Sequence, residues 1–236
     1  MMINRLSLAI FYIFTILLVN NMSGQNWSVF ANTTRYDKAN IELNLHTENN
    51  NRVVFMGNSI TEAWVSIRPE FFKDREYIGR GISGQTTSQM LLRFRADVVD
   101  LNPKVVVILA GTNDIAGNTG FTPIETIIGN IKSMAEIANS NNIKVIISSI
   151  LPAIDYPWKP GLEPAPIIVK INKALKAYAD KNNFIYLDYY SSMVDDKGGL
   201  KVPEYTSEED LVHPNKEGYL IMEKLAESAI NNALSN

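Results

Sequence analysis

The sequence predicts an α/β protein in which a five-stranded parallel sheet carries helices on both faces. Five short apolar segments recur along the chain, and amphipathic segments with helical spacing separate them. Strands that alternate with helices form parallel sheets with right-handed crossovers. The strand segments are apolar on both sides, which is typical of a sheet that is covered on both faces.

Each element follows from a local pattern. Continuous apolar runs predict strands at residues 52–56, 77–80, 104–110, 144–149 and 184–187. Apolar residues at helical spacing predict helices at residues 87–99, 122–139, 167–181 and 216–234. The second helix has the clearest start signal, with Thr122 as the cap, Pro123 in the first turn and Glu125 three residues after the cap.

The composition excludes several classes of site. The chain of 236 residues fits one domain, and its net charge of -3, with scattered lysines and arginines, argues against a nucleic-acid partner. The absence of cysteine excludes thiolate nucleophiles, disulfides and cysteine zinc sites. Two histidines, His46 and His213, are too few for a zinc site made mainly of histidines. We therefore expect no metal site.

The N-terminus has the layout of a secretory signal peptide. Arg5 precedes an almost wholly apolar stretch at residues 6–19, which is shorter than the ~20 residues that span a bilayer. We expect a signal peptide at residues 1–24, a mature domain at residues 25–236, and a secreted or periplasmic protein. No cysteine follows the stretch, which excludes a lipoprotein anchor. An uncleaved membrane anchor is the alternative, and it would be the chain's one link to a membrane.

Three polar motifs follow the first three strands. Because the carboxyl ends of parallel strands share one edge of the sheet, we expect these motifs to meet there. The motifs are Gly57-Asn58-Ser59, Gly81-Ile82-Ser83-Gly84 and Gly111-Thr112-Asn113-Asp114.

Ser59, Asp210 and His213 are the candidates for nucleophilic catalysis. A serine needs an adjacent base, and Ser59 alone could simply cap the helix that follows it. Asp210 stands three residues before His213, so it can bind one ring nitrogen and leave the other free as a base. The alternative is a surface turn with no catalytic duty. His46 lies in an asparagine-rich segment and is predicted to be solvent-exposed.

The glycine and asparagine motifs predict an oxyanion hole. Acyl transfer passes through a tetrahedral intermediate whose negative oxygen needs preorganised donors. The backbone amides of Ser59 and Gly84 and the side-chain amide of Asn113 could supply three. The alternative is that Gly84 and Asn113 merely form turns.

The three polar motifs and a fourth, Asp210-Leu211-Val212-His213, together resemble the SGNH (GDSL-type) hydrolase family, in particular its platelet-activating-factor acetylhydrolase-like branch. The resemblance runs from about Arg52 to the C-terminus, and it departs from the family name at Asn58, where the family has Asp. It implies a flavodoxin-like three-layer α/β/α fold and ester hydrolysis without a cofactor. The chain differs from the α/β-hydrolases, since Thr61 stands where their nucleophile motif has its second glycine.

The segment at residues 151–166 bears on the substrate. It is rich in proline and contains Tyr156 and Trp158, so it could form a pocket wall, a platform for sugar rings or a packed surface loop. The resemblance to the platelet-activating-factor acetylhydrolase-like branch implies short acyl groups. Together with export, this predicts a small-molecule or glycan ester as the substrate, and a carbohydrate O-acetylesterase is the first hypothesis. The alternatives are a lipid or lysophospholipid esterase, a thioesterase, an acyltransferase and a binding module without catalysis.

Overall fold

A computed structural model of the protein describes residues 26–45 and 51–235. The predicted signal peptide and His46 lie outside the described residues. Within those ranges, no helix combines the length and the apolar character that crossing a bilayer requires.

The five predicted strands form one fully parallel sheet. Their bounds are β1 Val53–Gly57, β2 Tyr77–Gly81, β3 Val105–Leu109, β4 Lys144–Ser148 and β5 Ile185–Leu187. The spatial order is β2-β1-β3-β4-β5, which is the flavodoxin-like order. The predicted fold class is confirmed.

Ten helices are found in the described part of the chain. They are α1 Trp27–Ala31, α2 Asp37–Leu45, α3 Ser59–Ile67, α4 Pro69–Lys73, α5 Thr87–Asp97, α6 Thr112–Ile115, α7 Ile124–Ser140, α8 Ala165–Asn182, α9 Tyr190–Met193 and α10 Lys216–Ser235. The four predicted helices correspond to α5, α7, α8 and α10, and a 3-10 turn at Val99–Leu101 follows α5.

The predicted cap of α7 is wrong by one residue. Pro123, not Thr122, is the cap residue, and its extended backbone (ψ 144°) delays the first helical residue to Ile124. The carbonyl of Pro123 accepts the amides of Thr126 and Ile127, so the helix begins without a side-chain cap. Thr122 instead donates its hydroxyl to the carbonyl of Gly120.

Side chains that alternate along β1 divide the core into two layers. Val54 and Met56 face the cluster formed with α5, α7 and α8. Val53 and Phe55 face the cluster formed with α3, α4 and α10. All five residues of β1 and of β3 are buried, as expected for central strands with helices on both sides.

The first three strands end in register at one edge. Gly57 at the end of β1 pairs with Gly81 of β2 and with Leu109 of β3. The three polar motifs therefore leave the sheet side by side.

Candidate active site

Ser59 is the first residue of α3, directly after β1. The neighbouring Asn58 is buried, and its Oδ1 accepts the backbone amide of Ile60 at 3.0 Å. Asn58 therefore supplies the side-chain cap of α3. The alternative in which Ser59 serves only as a helix cap is wrong, because its hydroxyl has a different partner.

That partner is His213, which lies 154 residues further along the chain. Ser59 Oγ is 2.8 Å from His213 Nε2. The other ring nitrogen, Nδ1, lies 2.8 Å from Asp210 Oδ1 and 3.0 Å from Oδ2. An ionised carboxylate only accepts, so Nδ1 carries the hydrogen and Nε2 can accept from the serine hydroxyl.

The loop from Asp210 to His213 is shaped around one carboxylate oxygen. Asp210 Oδ1 also accepts the backbone amides of Val212 at 3.1 Å and His213 at 2.7 Å. Leu211, which lies between Asp210 and Val212, adopts the left-handed conformation with φ 62°. For a residue other than glycine this conformation costs about 1–2 kcal/mol. The hydrogen bonds to Oδ1 offset that cost. Because Asp210 Oδ1 binds both the backbone amide and Nδ1 of His213, it fixes the imidazole relative to the backbone of the same residue.

The amides of Ser59 and Gly84 are free to bind a ligand. Within residues 26–45 and 51–235, neither amide donates to another protein group. Gly84 has φ +76°, a conformation that favours glycine. The Ile82 amide donates to the Gly57 carbonyl at 3.3 Å, which ties this loop to the end of β1.

Asn113 lies in the short helix α6 rather than in a turn, and it is buried. Its Nδ2 donates to the carbonyl of Gln85 at 2.9 Å, next to Gly84. A primary amide carries two hydrogens, so one remains for a ligand. The bond to Gln85 joins the asparagine motif to the glycine motif.

Residues 55–221 match the GDSL-like lipase/acylhydrolase family. The chain belongs to this family. Membership confirms the resemblance predicted from the four motifs, and it supports the predicted class of enzyme, a hydrolase that acts on esters.

This chain is also similar in sequence or in fold to individual known proteins. A crystal structure assigned as an acylhydrolase, from Bacteroides fragilis, shares 52% identity, covers 86% of this chain and 98% of its own, and superposes with a TM-score of 0.83. A protein of Streptococcus pneumoniae assigned as a platelet activating factor shares the fold, at 22% identity over 92% and 98% of the two chains and a TM-score of 0.71. The uncharacterised lipoprotein YqeF of Bacillus subtilis is 33% identical over 98 residues, 40% of each chain. This chain therefore matches less than half the length of that curated relative.

A buried arginine holds the loops of this GDSL-like site together, and sequence reasoning missed it. Arg93 on α5 is 1% exposed, and it donates to Asp97 Oδ2 at 2.8 Å, to Gln85 Oε1 at 2.6 Å and to the Gly57 carbonyl at 2.9 Å. Burial lowers the pKa of Arg93, and the bond to Asp97 opposes that shift. The available signal was the Arg–Asp pair four residues apart on α5, but only packing shows that it points inward.

Asp114, the last residue of the asparagine motif, is a second buried charge without an assigned role. Its carboxylate accepts the Thr87 amide at 2.9 Å and the Thr87 hydroxyl at 2.5 Å. Burial nevertheless raises the pKa of Asp114 to about 6. Its bonds to Thr87 attach α6 to the start of α5.

The segment at residues 151–166 is partly core and partly rim. Tyr156 is fully buried, whereas Trp158 is 45% exposed and stacks on it with ring centroids 5.1 Å apart. The Trp158 ring lies 6.3 Å from the His213 imidazole. Part of the segment therefore packs in the core, and Trp158 lies at the surface beside His213.

Metal ligands are not clustered in the described ranges. No group of three or more histidine, aspartate or glutamate side chains there could hold a metal ion. His46 lies outside those ranges.

Proposed function

We propose that this chain is a serine esterase in which Ser59 is the nucleophile, His213 the general base and Asp210 the group that orients His213. One observation carries the proposal: a continuous hydrogen-bonded row from Asp210 through both ring nitrogens of His213 to Ser59 Oγ. Membership of the GDSL-like family is in accord with it.

The reaction has two acyl-transfer steps. His213 Nε2 takes the Ser59 hydroxyl proton while Oγ attacks the ester carbonyl carbon. The amides of Ser59 and Gly84 and the side chain of Asn113 bind the oxyanion. The bond to the alcohol oxygen then breaks, and His213 returns the proton to that oxygen. In the second step His213 takes a proton from water, and the water oxygen attacks the acyl carbon. The bond between that carbon and Ser59 Oγ then breaks, His213 returns the proton to Oγ, and the acid leaves. Every proton moves through His213, so no step requires a cofactor.

The substrate class we propose is a short acyl ester, first of all an acetyl ester of a carbohydrate. The half-exposed Trp158 beside His213 favours an alcohol with a ring over a thin aliphatic chain. The Bacteroides fragilis acylhydrolase, at 52% identity, supports an acyl ester as the substrate.

We also propose that residues 1–24 are a signal peptide and that residues 25–236 form the exported domain. The apolar stretch after Arg5 supports this, and the lipoprotein YqeF is a relative whose name implies export. Mass spectrometry of the exported protein should find an N-terminus near Gln25. An N-terminus at Met1 would refute cleavage.

The catalytic proposal is tested by covalent labelling and turnover. We expect a fluorophosphonate probe to label the wild type and not Ser59→Ala, which should also lose hydrolysis of p-nitrophenyl acetate. Ser83→Ala is the matched control, because Ser83 lies in the neighbouring loop with its hydroxyl on Glu62, and it should remain labelled. Full esterase activity in Ser59→Ala would refute the proposal.

A hydrolysis panel tests the substrate class. Acetylated glycans should be the best substrates among acetylated glycans, short-chain aryl esters, thioesters and lysophospholipids. A preference for lysophospholipids or thioesters would overturn the carbohydrate assignment while leaving the serine esterase intact. Acetyl transfer to an added sugar alcohol in preference to water would identify an acyltransferase.

A further inference from the structure

Trp158 stacks on Tyr156 with one ring face, and it remains partly exposed beside His213. The Tyr156 ring is buried, and 26° separates the two ring planes. Trp158 is 45% exposed, and its indole centroid lies 6.3 Å from that of the His213 imidazole, with 39° between the ring planes. A ring that is fixed by stacking and remains nearly half-exposed can stack on a second ring from a ligand.

The indole is also held at its edge. Trp158 Nε1 donates to Asn118 Oδ1 at 3.3 Å, and Asn118 Nδ2 donates to the Gly84 carbonyl at 3.1 Å. Asn118 therefore connects the indole to the loop that carries the Gly84 amide. Its side chain is exposed, so the amide can offer further hydrogen bonds to a polar ligand.

The chemistry of the proposed reaction says what must lie beside the imidazole. The leaving alcohol oxygen receives a proton from His213 Nε2, so it must come within hydrogen-bond distance of that nitrogen. The carbonyl oxygen points instead to the amides of Ser59 and Gly84. The carbon skeleton of the alcohol is therefore the part of the ester that meets the wall next to His213, and Trp158 belongs to that wall.

We propose that Trp158 is the specificity residue for the alcohol part of the ester and that it stacks on a pyranose ring. A sugar ring offers a face of C–H groups to an aromatic ring and hydroxyls to its surroundings, which matches a partly exposed indole with the Asn118 amide at its edge. The Trp158 side chain has few rotatable bonds, so it loses little conformational entropy when a ligand stacks on it. The inference rests on the proposed function, because it assigns the alcohol side of that same site.

Turnover of two acetyl esters tests the assignment. We compare a monoacetylated methyl xylopyranoside, which has a ring alcohol, with ethyl acetate, which does not. Trp158→Ala should lower kcat/KM for the pyranoside ester roughly tenfold, mainly through KM, and leave ethyl acetate within about twofold. Trp158→Phe keeps a ring and loses the bond to Asn118, so it should recover most of the pyranoside activity. Equal losses on both esters, or no loss on either, would overturn the inference.

Trp27→Ala is the matched control for the loss of an exposed indole. Trp27 is 58% exposed on α1, where its ring packs edge-on against Phe30. Its removal should leave both esters unaffected. A loss of pyranoside activity in Trp27→Ala equal to that in Trp158→Ala would remove the special role of Trp158.

A binding readout separates this inference from the catalytic proposal. In Ser59→Ala, titration with methyl xylopyranoside should shift the indole N–H resonance of Trp158, identified by its loss in Trp158→Phe, and not those of Trp27 or Trp64. If Trp158 shows this shift but the wild type hydrolyses neither ester, the stacking role of Trp158 is supported and the esterase proposal is refuted. If the wild type hydrolyses both esters and Trp158 shows no shift, the esterase proposal is supported and the stacking role of Trp158 is refuted.

Discussion

Asn58 and Ser59 divide two tasks at the start of α3: Asn58 caps the helix, and Ser59 keeps its hydroxyl for His213. The division depends on a tight turn, since a Cβ at Gly57 would stand 2.1 Å from the hydroxyl oxygen of Thr61. It also explains the departure from the family name at this position. Asn and Asp are comparably good caps, because each presents an oxygen to the amides of the first turn.

Two substitutions of Asn58 test whether its role is to cap α3: alanine removes the capping oxygen, and aspartate keeps it. Asn58→Ala should lower the free energy of unfolding by ~1 kcal/mol through loss of the cap, and it should reduce kcat because Ser59 begins the helix that loses its cap. Asn58→Asp should retain most of the stability and most of the kcat of the wild type. Urea unfolding and esterase assays measure the two effects. Equal damage in the two variants would show that capping is not the role of Asn58.

Asp210→Asn tests whether the carboxylate sets the tautomer of His213. The asparagine oxygen can still accept the backbone amides, but its NH₂ would then face Nδ1 and favour a hydrogen on Nε2. We expect kcat to fall by about 10²–10⁴-fold with the fold retained, as measured by turnover and thermal unfolding. Glu209→Gln, one residue away and exposed, is the control and should have little effect. Activity of Asp210→Asn within a few-fold of the wild type would contradict the assigned role.

Asn113→Ala should reduce kcat by about 10²–10³-fold with KM little changed, because an oxyanion donor acts chiefly in the transition state. The variant also loses the bond to the Gln85 carbonyl, so its melting temperature should be recorded alongside the kinetics. The role is wrong if Asn113→Ala raises KM and leaves kcat intact.

Asp114 should make stability depend on pH with an unusual sign for an aspartate. Its folded pKa is about 6, above ~3.9 in an unfolded chain, so the folded state holds the proton more tightly. Its contribution is complete below pH ~4 and is lost as the pH rises toward 6. The free energy of unfolding of the wild type relative to Asp114→Asn should therefore fall by roughly 1–3 kcal/mol between pH 4 and pH 7. Urea unfolding at several pH values measures this difference, and a flat or rising profile would contradict it.

Local patterns predicted the elements of this protein well because they repeat over short distances. The five strands and four main helices are apparent from apolar periodicity. The start of α7 was misplaced because the extended backbone of Pro123 moved the first helical residue past the capping signal at Thr122. The burial of Arg93 and of Asp114 was not predicted, because a charged residue is ordinarily exposed and nothing in the neighbouring residues marks an exception.

The sequence by itself determined which groups were available: a single serine motif at a strand end, an aspartate three residues before a histidine, and glycine and asparagine motifs after neighbouring strands. Each of these lies within a few residues, where backbone geometry alone sets the relationship. Only the tertiary structure decided that Ser59 and His213 meet at 2.8 Å, that Arg93 is buried beneath the loops and that Trp158 stands beside the imidazole. Those contacts join distant parts of the chain, and they depend on how the parallel sheet and its two helical layers pack.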